Sequence, residues 1–161
     1  MNLIYLGKIV NTHGLKGEIR IISDFKYKGD VFKINNIVYI NNSKYIIKSY
    51  RFHKVYDMIT LQDINNIEEA EMLKGLDIYI NREDYVFDGF LYEDIINLDV
   101  YDDDKYKGKV VDILKTTNND LLVIDGLKKH MVPNIPQFVK KVDLDNKKIY
   151  IEYIRGLDNE D

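Results

Sequence analysis

The chain has 161 residues and a mass of 19.0 kDa, 45% of it hydrophobic and 31% charged, which allows one medium domain or two small ones with a modest core. A formal net charge of −4 argues against a bulk, sequence-blind nucleic-acid binder, which needs a broadly basic surface to displace phosphate counterions, so any RNA contact must be local. The absence of cysteine excludes a disulfide framework, a thiolate metal site and a cysteine nucleophile, and permits an intracellular home.

The start, MNLIYLGKIVNTHG, has a short apolar run broken by Gly7 and Lys8 with no small-residue cleavage pattern after it, so no signal peptide is expected. No stretch of about 18 uninterrupted apolar residues follows, so no transmembrane helix is expected either. Short runs rich in Ile, Val and Tyr, separated by Gly, Asn and Asp, predict many short strands. In the first half these fall near residues 3–10, 18–22, 37–40, 45–51, 58–61 and 77–80, with Asn41, Asn42 and Ser43 as a hairpin turn.

Between the first two strands lies NTHGLKGEIR, residues 11–20. It lacks the Gly-Lys-Ser/Thr of a phosphate-cradling loop, and its glycines do not fit the dinucleotide fingerprint. Gly14 and Gly17 instead supply positive φ for a turn, and the alternation after it turns Ile19 and Ile21 inward and Glu18 and Arg20 outward. His13 as a general base would need an orienting partner and a nucleophile, and neighbouring residues supply neither. The loop therefore reads as a structural turn that presents His13, Lys16 and Arg20.

RFHK, residues 51–54, ends the fourth strand with Arg51, His53 and Lys54 around an aromatic ring. Basic side chains beside a stacking ring suit single-stranded or looped RNA. The competing reading is a solvated strand end with Phe52 turned into the core, and proximity to Lys16 and Arg20 would favour the first. One short helix is expected at about 67–74, with Asn66 as its cap, Glu69 placed as in a capping box and Gly75 as the stop.

NREDYVFDG, residues 81–89, is polar enough to leave the first unit. The domain reading is an N-terminal unit at 1–82, a linker at 83–89, a second unit at 90–156 and an acidic tail at 157–161 that is expected to be disordered. The second half repeats the β pattern near residues 98–101, 109–114, 121–124, 130–132 and 148–153. Antiparallel strands at this spacing suggest small barrels, so the fold class is mainly β, two small β-barrel domains joined by a short linker, with no internal repeat. Residues 1–62 hold ten Lys or Arg against four Asp or Glu, whereas residues 85–161 hold eleven against sixteen, so the halves suit different partners, phosphate for the first and protein for the second.

His13, His53 and His130 lack the paired spacing of a zinc site, and Asp102 to Asp104 lack the glycine and distal glutamate of a calcium loop and read as an acidic hairpin turn. Glu93 and Asp94 are adjacent, cannot easily share a proton and read as structural. No metal, cofactor or catalytic residue is expected. Phe90, Leu91 and Tyr92 follow the linker as three bulky residues, fit either to pack or to present a patch, and Pro133 and Pro136 fix the direction of a crossover.

Six stretches, in order and at compatible spacing, resemble one family: GKIVNTHGLKGEIRI (7–21), RFHK (51–54), EEAEMLKG (68–75), YEDIINLDVY (92–101), NNDLLVI (118–124) and VPNIPQFVKKVDL (132–144). The chain resembles the bacterial RimM ribosome maturation factors. The resemblance implies a cytoplasmic, non-enzymatic, monomeric assembly chaperone with an N-terminal translation-protein-like barrel and a C-terminal PRC-type barrel. It implies binding to the forming head of the small subunit, with its 16S rRNA, and to small-subunit ribosomal protein nineteen. On this sequence the rRNA-facing candidates are His13, Lys16, Arg20, Arg51, His53 and Lys54, and the protein-docking candidates are Phe90, Leu91 and Tyr92. The family often has Gly where Asn97 stands, paired aromatics where Phe90-Leu91 stands and an apolar residue where Asn134 stands. Two rivals have discriminators. A small RNA-acting enzyme needs the His13 and His53 rings in one pocket, and a stand-alone PRC-type interaction module would not need the N-terminal half.

Overall fold

The computed structural model describes residues 1–152, so Tyr153 and the acidic tail lie outside the described residues. The chain divides into two compact units, Met1–Asp88 and Gly89–Asp161.

The first unit is a closed barrel of six strands: β1 (Leu3–His13), β2 (Glu18–Ile22), β3 (Ile37–Ile40), β4 (Ser43–His53), β5 (Tyr56–Leu61) and β6 (Asp77–Asn81), in the order β1-β2-β5-β4-β3-β6. Pairing of β1 with β6, Ile4 opposite Ile80, closes the ring and leaves no open edge. Inward positions carry fully buried aliphatics such as Leu6, Ile9, Ile21, Ile40 and Ile59. Each such side chain contributes about 1.5–3 kcal/mol when removed from water. Asn41 and Asn42 have φ of 51° and 63°, and with Ile40 opposite Ser43 they make the two-residue hairpin turn in which Asn tolerates the left-handed region.

Two helices accompany the barrel, α1 (Lys28–Val31) and α2 (Ile67–Glu71). The Asn66 carboxamide accepts from the Glu69 N–H at 2.9 Å and donates to the Glu69 carboxylate at 2.8 Å, so the expected cap is present. The α-helix is shorter than the expected 67–74, because Leu73 and Lys74 donate to carbonyls only three residues back. Its buried Ala70 turns toward the barrel, and Thr12 donates to Glu71 at 2.6 Å from β1. Residues 82–84 form a single 3₁₀ turn, after which the Phe87 ring stacks between Tyr27 and Tyr85 at 4.8 and 5.4 Å. Burial is the main reason the Tyr85 phenol is pushed up to about 12.

The second unit holds α3 (Tyr92–Ile95) and six strands: β7 (Asp99–Asp102), β8 (Lys105–Lys115), β9 (Asp120–Asp125), β10 (Lys129–Pro133), β11 (Val139–Asp143) and β12 (Lys148–Ile151). They form one sheet ordered β10-β9-β8-β7-β12-β11 over a core that includes Leu98, Val100, Val110, Leu122, Ile124 and Ile149. Two expectations need correction. The described residues contain three α-helices rather than one, because α1 and α3 are single turns of four residues, too short for a 3.6-residue period to register in sequence. The strands are not all antiparallel, since β12 returns beside β7 in parallel, with Ile149 opposite Val100.

Candidate nucleic-acid interface

The β1–β2 loop is shaped by Gly14 and Gly17, with φ of 77° and 82° and a bond from the Gly17 N–H to the Gly14 carbonyl at 3.4 Å. A Cβ on Gly17 would lie 2.6 Å from the Asn66 carbonyl, so the loop is seated against the start of α2 and only glycine fits there. The loop leaves Leu15 84% exposed, with His13 and Lys16 also in solvent.

Strand register then determines which basic residues meet. Arg20 on β2 lies opposite Met58 on β5, and Arg51 on β4 lies opposite the same Met58 from the other side. Two strand spacings, roughly 9–10 Å, separate the two arginine backbones across the outer face. Met58 beneath them is fully buried although it points away from the barrel interior.

The Arg20 guanidinium lies 2.8 Å from His13 Nδ1 and 5.4 Å from the centre of the Tyr56 ring. Arginine has only donors, so in this bond His13 Nδ1 accepts and its Nε2 is left to donate outward. Arg20 Nε is buried without a hydrogen-bond partner, so the side chain is held by its tip and by the ring. Glu18 receives two bonds from Arg51, 2.9 Å from Nε and 2.8 Å from Nη2. Those bonds hold the Glu18 carboxyl below its ordinary range, against the opposing effect of partial burial.

On the outer face of β1, β2, β5 and β4, His13 and Tyr56 thus hold Arg20 while Glu18 holds Arg51, which is 49% exposed. His53 and Lys54 are exposed at the β4–β5 hairpin, where Lys54 adopts φ of 58°. Lys16 is exposed on the β1–β2 loop at the other end of β2, so the proximity to RFHK that would favour RNA holds for Arg20, opposite Met58 as Arg51 is, and not for Lys16. Sequence reasoning passed over Glu18 and Tyr56 as site members. The alternation that turns Glu18 outward beside Arg20 was the available signal, whereas the Tyr56 contact depends on pairing between distant strands.

The reading of Phe52 as a core residue does not hold: the ring is 56% exposed. His13 and His53 do not face one pocket either. His13 pairs with Glu18 and His53 with Tyr56, on strands that are three spacings apart, roughly 14 Å of sheet.

In the second unit, Phe90 and Tyr92 are 42% and 49% exposed. Leu91 is not available to a partner. Its side chain is 5% exposed in the core, because its residue caps α3 and its N–H donates to the Asp94 carboxylate at 2.9 Å. Phe90 lines a groove of about 260 Å³ with Ile135, Pro136, Val139, Lys141 and Val142. The backbone there is folded by bonds from the Phe138 and Val139 N–H groups to the Ile135 carbonyl, at 3.0 and 2.9 Å.

Among the described residues no group of three or more His, Asp or Glu is placed to hold a metal ion, and no helix is long and apolar enough to cross a membrane. Asp102 to Asp104 turn the β7–β8 hairpin, with Asp103 at φ of 52°.

Comparison with known proteins gives consistent matches. Residues 4–85 match the RimM N-terminal domain and residues 92–157 the RimM PRC barrel domain. A protein of Staphylococcus aureus strain NCTC 8325, the ribosome maturation factor RimM, is 43% identical over 163 residues, spanning 96% of this chain and 98% of the relative. The corresponding protein of strain Mu50 is 42% identical over the same shares. Among solved structures, a putative 16S ribosomal RNA processing protein RimM from Pseudomonas aeruginosa aligns at a TM-score of 0.48 and 20% identity over 95% of this chain and 98% of its own. The N-terminal domain of RimM from Thermus thermophilus aligns at 0.47 and 20% over 54% of this chain and 98% of its own.

Proposed function

The chain belongs to the RimM family of ribosome maturation factors, and from that membership we propose that it is a cytoplasmic, non-enzymatic chaperone acting as a monomer on the forming head of the small ribosomal subunit. Its first unit would meet the 16S rRNA and its second unit the basic ribosomal protein nineteen of that subunit. The observation that carries the RNA-facing half is the outer file in which Arg20 and Arg51 flank Met58, with His13 and Lys54 exposed beside it.

Guanidinium groups offer forked donors to phosphate oxygens, and His13 adds the Nε2 donor that its bond to Arg20 leaves free. The net excess of basic residues in 1–62 draws the polyanion toward this unit, and the acidic excess in 85–161 favours a basic protein for the other. The roughly 14 Å of sheet between the histidines, and the commitment of His13 Nδ1 to a cation, support a binding role over acid–base catalysis. For the protein partner, Phe90 and Tyr92 are the exposed anchors, with Leu91 supporting them from the core.

The test is cosedimentation with immature small subunits. Lys16→Glu combined with Lys54→Glu, both exposed, should weaken association while leaving the fold intact. Undiminished association would remove the first unit from the rRNA contact. Phe90→Ala with Tyr92→Ala should weaken capture of ribosomal protein nineteen, and unaltered capture would move that contact elsewhere.

A further inference from the structure

Phe52 occupies a position that the basic face does not account for. It lies on β4 opposite Asp57, a register that in the middle of the barrel points inward, yet here at the barrel's rim the ring is 56% exposed. It is also held in place. Lys28 Nζ sits 5.1 Å from the ring centre and is itself bonded to the fully buried Asp57 carboxylate at 2.8 Å. The other Asp57 oxygen accepts from Tyr50 OH at 2.7 Å, and Tyr50 stacks on the buried Phe32 at 5.4 Å with rings 10° apart. Burial, followed by the bond to Asp57, raises the Tyr50 phenol well above its ordinary range and keeps it a donor.

The three rings Phe32, Tyr50 and Phe52 are 3%, 37% and 56% exposed, running from the core out to solvent. At the outermost ring stands Lys28, and Lys54 is exposed two residues on in the hairpin, while Arg51 and His53 alternate onto the outer face of β4; Asp57, the acid opposite Phe52 in register, is already bonded to Lys28. An ordered aromatic face beside such cations has the chemistry of a base-stacking platform, because every nucleobase offers a π-face while the neighbouring cations meet the phosphates. Prior ordering of the ring also lowers what is lost when a ligand immobilises it.

We propose that Phe52 is the stacking platform for an unpaired RNA base, so that this unit takes looped or bulged RNA in preference to continuous duplex. The proposal rests on the RNA-facing reading of the first unit and adds to it the structural class of RNA.

The experiment uses the full chain and two fluorescent RNA hairpins, alike except that one has a single unpaired 2-aminopurine and the other is fully paired at that point. Binding is followed by anisotropy and by quenching of the 2-aminopurine. The unmodified protein should prefer the unpaired RNA and quench it. Phe52→Leu, which keeps an apolar side chain but loses the π-face, should lose about fivefold to a hundredfold in affinity for that RNA, with the paired hairpin and the salt slope unchanged. Phe52→Tyr should retain both preference and quenching, which guards against a trivial folding defect. Equal binding of the two hairpins by the unmodified protein, or unaltered binding by Phe52→Leu, overturns the platform. Lys54→Glu is the separate control for the underlying reading: if it leaves affinity for both hairpins unchanged, the basic face itself is not an RNA surface and the platform falls with it. If it weakens both while Phe52→Leu does nothing, only the platform is wrong.

Discussion

Glu18 restrains the basic face as well as bracing it, and replacing it by glutamine should tighten RNA binding. Both Glu18 oxygens are occupied by Arg51, at 2.9 and 2.8 Å, so two of the guanidinium donors are committed and a negative charge sits where phosphate would approach. In Glu18→Gln the amide keeps one acceptor oxygen, the charge is gone, and Arg51, 49% exposed, is released toward solvent. One additional phosphate contact steepens the dependence of log Kobs on log salt by about 0.7 for single strands and about 0.9 for duplex. With a slope change near 0.8, the variant's advantage shrinks roughly sixfold for each tenfold rise in salt. The assay is RNA binding by anisotropy across a salt series, accompanied by denaturant unfolding as a function of pH. The sign of the second measurement follows from the direction of the shift. Glu18 is held below its ordinary 4.5, so its pair with Arg51 stabilises the fold fully above that value and ceases to do so as pH falls through the lowered one. The variant should therefore be slightly less stable at neutral pH and should lack that acid-side loss. A slope and affinity equal to those of the unmodified protein would refute the reasoning, since Arg51 would then have no phosphate to meet.

The glycines of the β1–β2 loop separate strain from space. Gly14→Ala meets no atom within 4 Å and suffers only its φ of 77°, about 1 kcal/mol, whereas Gly17→Ala adds a Cβ 2.6 Å from the Asn66 carbonyl and should cost clearly more in denaturant unfolding. Asn97 stands at φ of 69°, so Asn97→Ala should lose about 1 kcal/mol while Asn97→Gly stays near neutral, measured the same way. Ile124→Ala in the fully buried core of the second unit should cost about 2–5 kcal/mol in urea unfolding, and if the units unfold separately the loss should fall on one transition.

Where one face of a strand is buried, alternation in the sequence located it. The expectations for 18–22 and 37–40 coincide with β2 and β3, because Ile19, Ile21, Val38 and Ile40 mark the inward face without interruption. β4 and β8 run longer than expected, at 43–53 and 105–115, because hairpin pairing carries polar strand ends that hydrophobicity does not report. β11 escaped altogether, since VKKVD buries neither valine fully and reads as a loop after two prolines. The candidate site was legible as a set of residues but not as a network. That Glu18 meets Arg51, 33 positions away, depends on the pairing of β2 with β5 and of β5 with β4, and no local pattern encodes that pairing. Leu91 failed for a related reason, because its burial follows from its place at the start of α3 and three bulky residues in a row give no clue to which one turns in.

The polar groups buried in the first unit suggest why its surface is shaped as it is. Inward positions are hydrocarbon except near the ends of β2, where Thr12 bonds Glu71 of α2 at one end and Asp57 gathers Lys28 and Tyr50 at the other. A buried carboxylate is costly to desolvate, and a hydrocarbon in place of the whole Asp57 cluster would often be no worse for stability. What hydrocarbon would not do is fix an ammonium over Phe52 and tie the Tyr50 phenol to the same carboxylate, so the cluster fits the orientation of the rim better than it fits the stability of the barrel. At the opposite end α2 seats Gly17 and therefore fixes where His13 and Lys16 emerge. The cationic face between the two ends is thus held at both margins by buried polar bonds, and a substitution in either margin should move RNA contacts that it does not itself make.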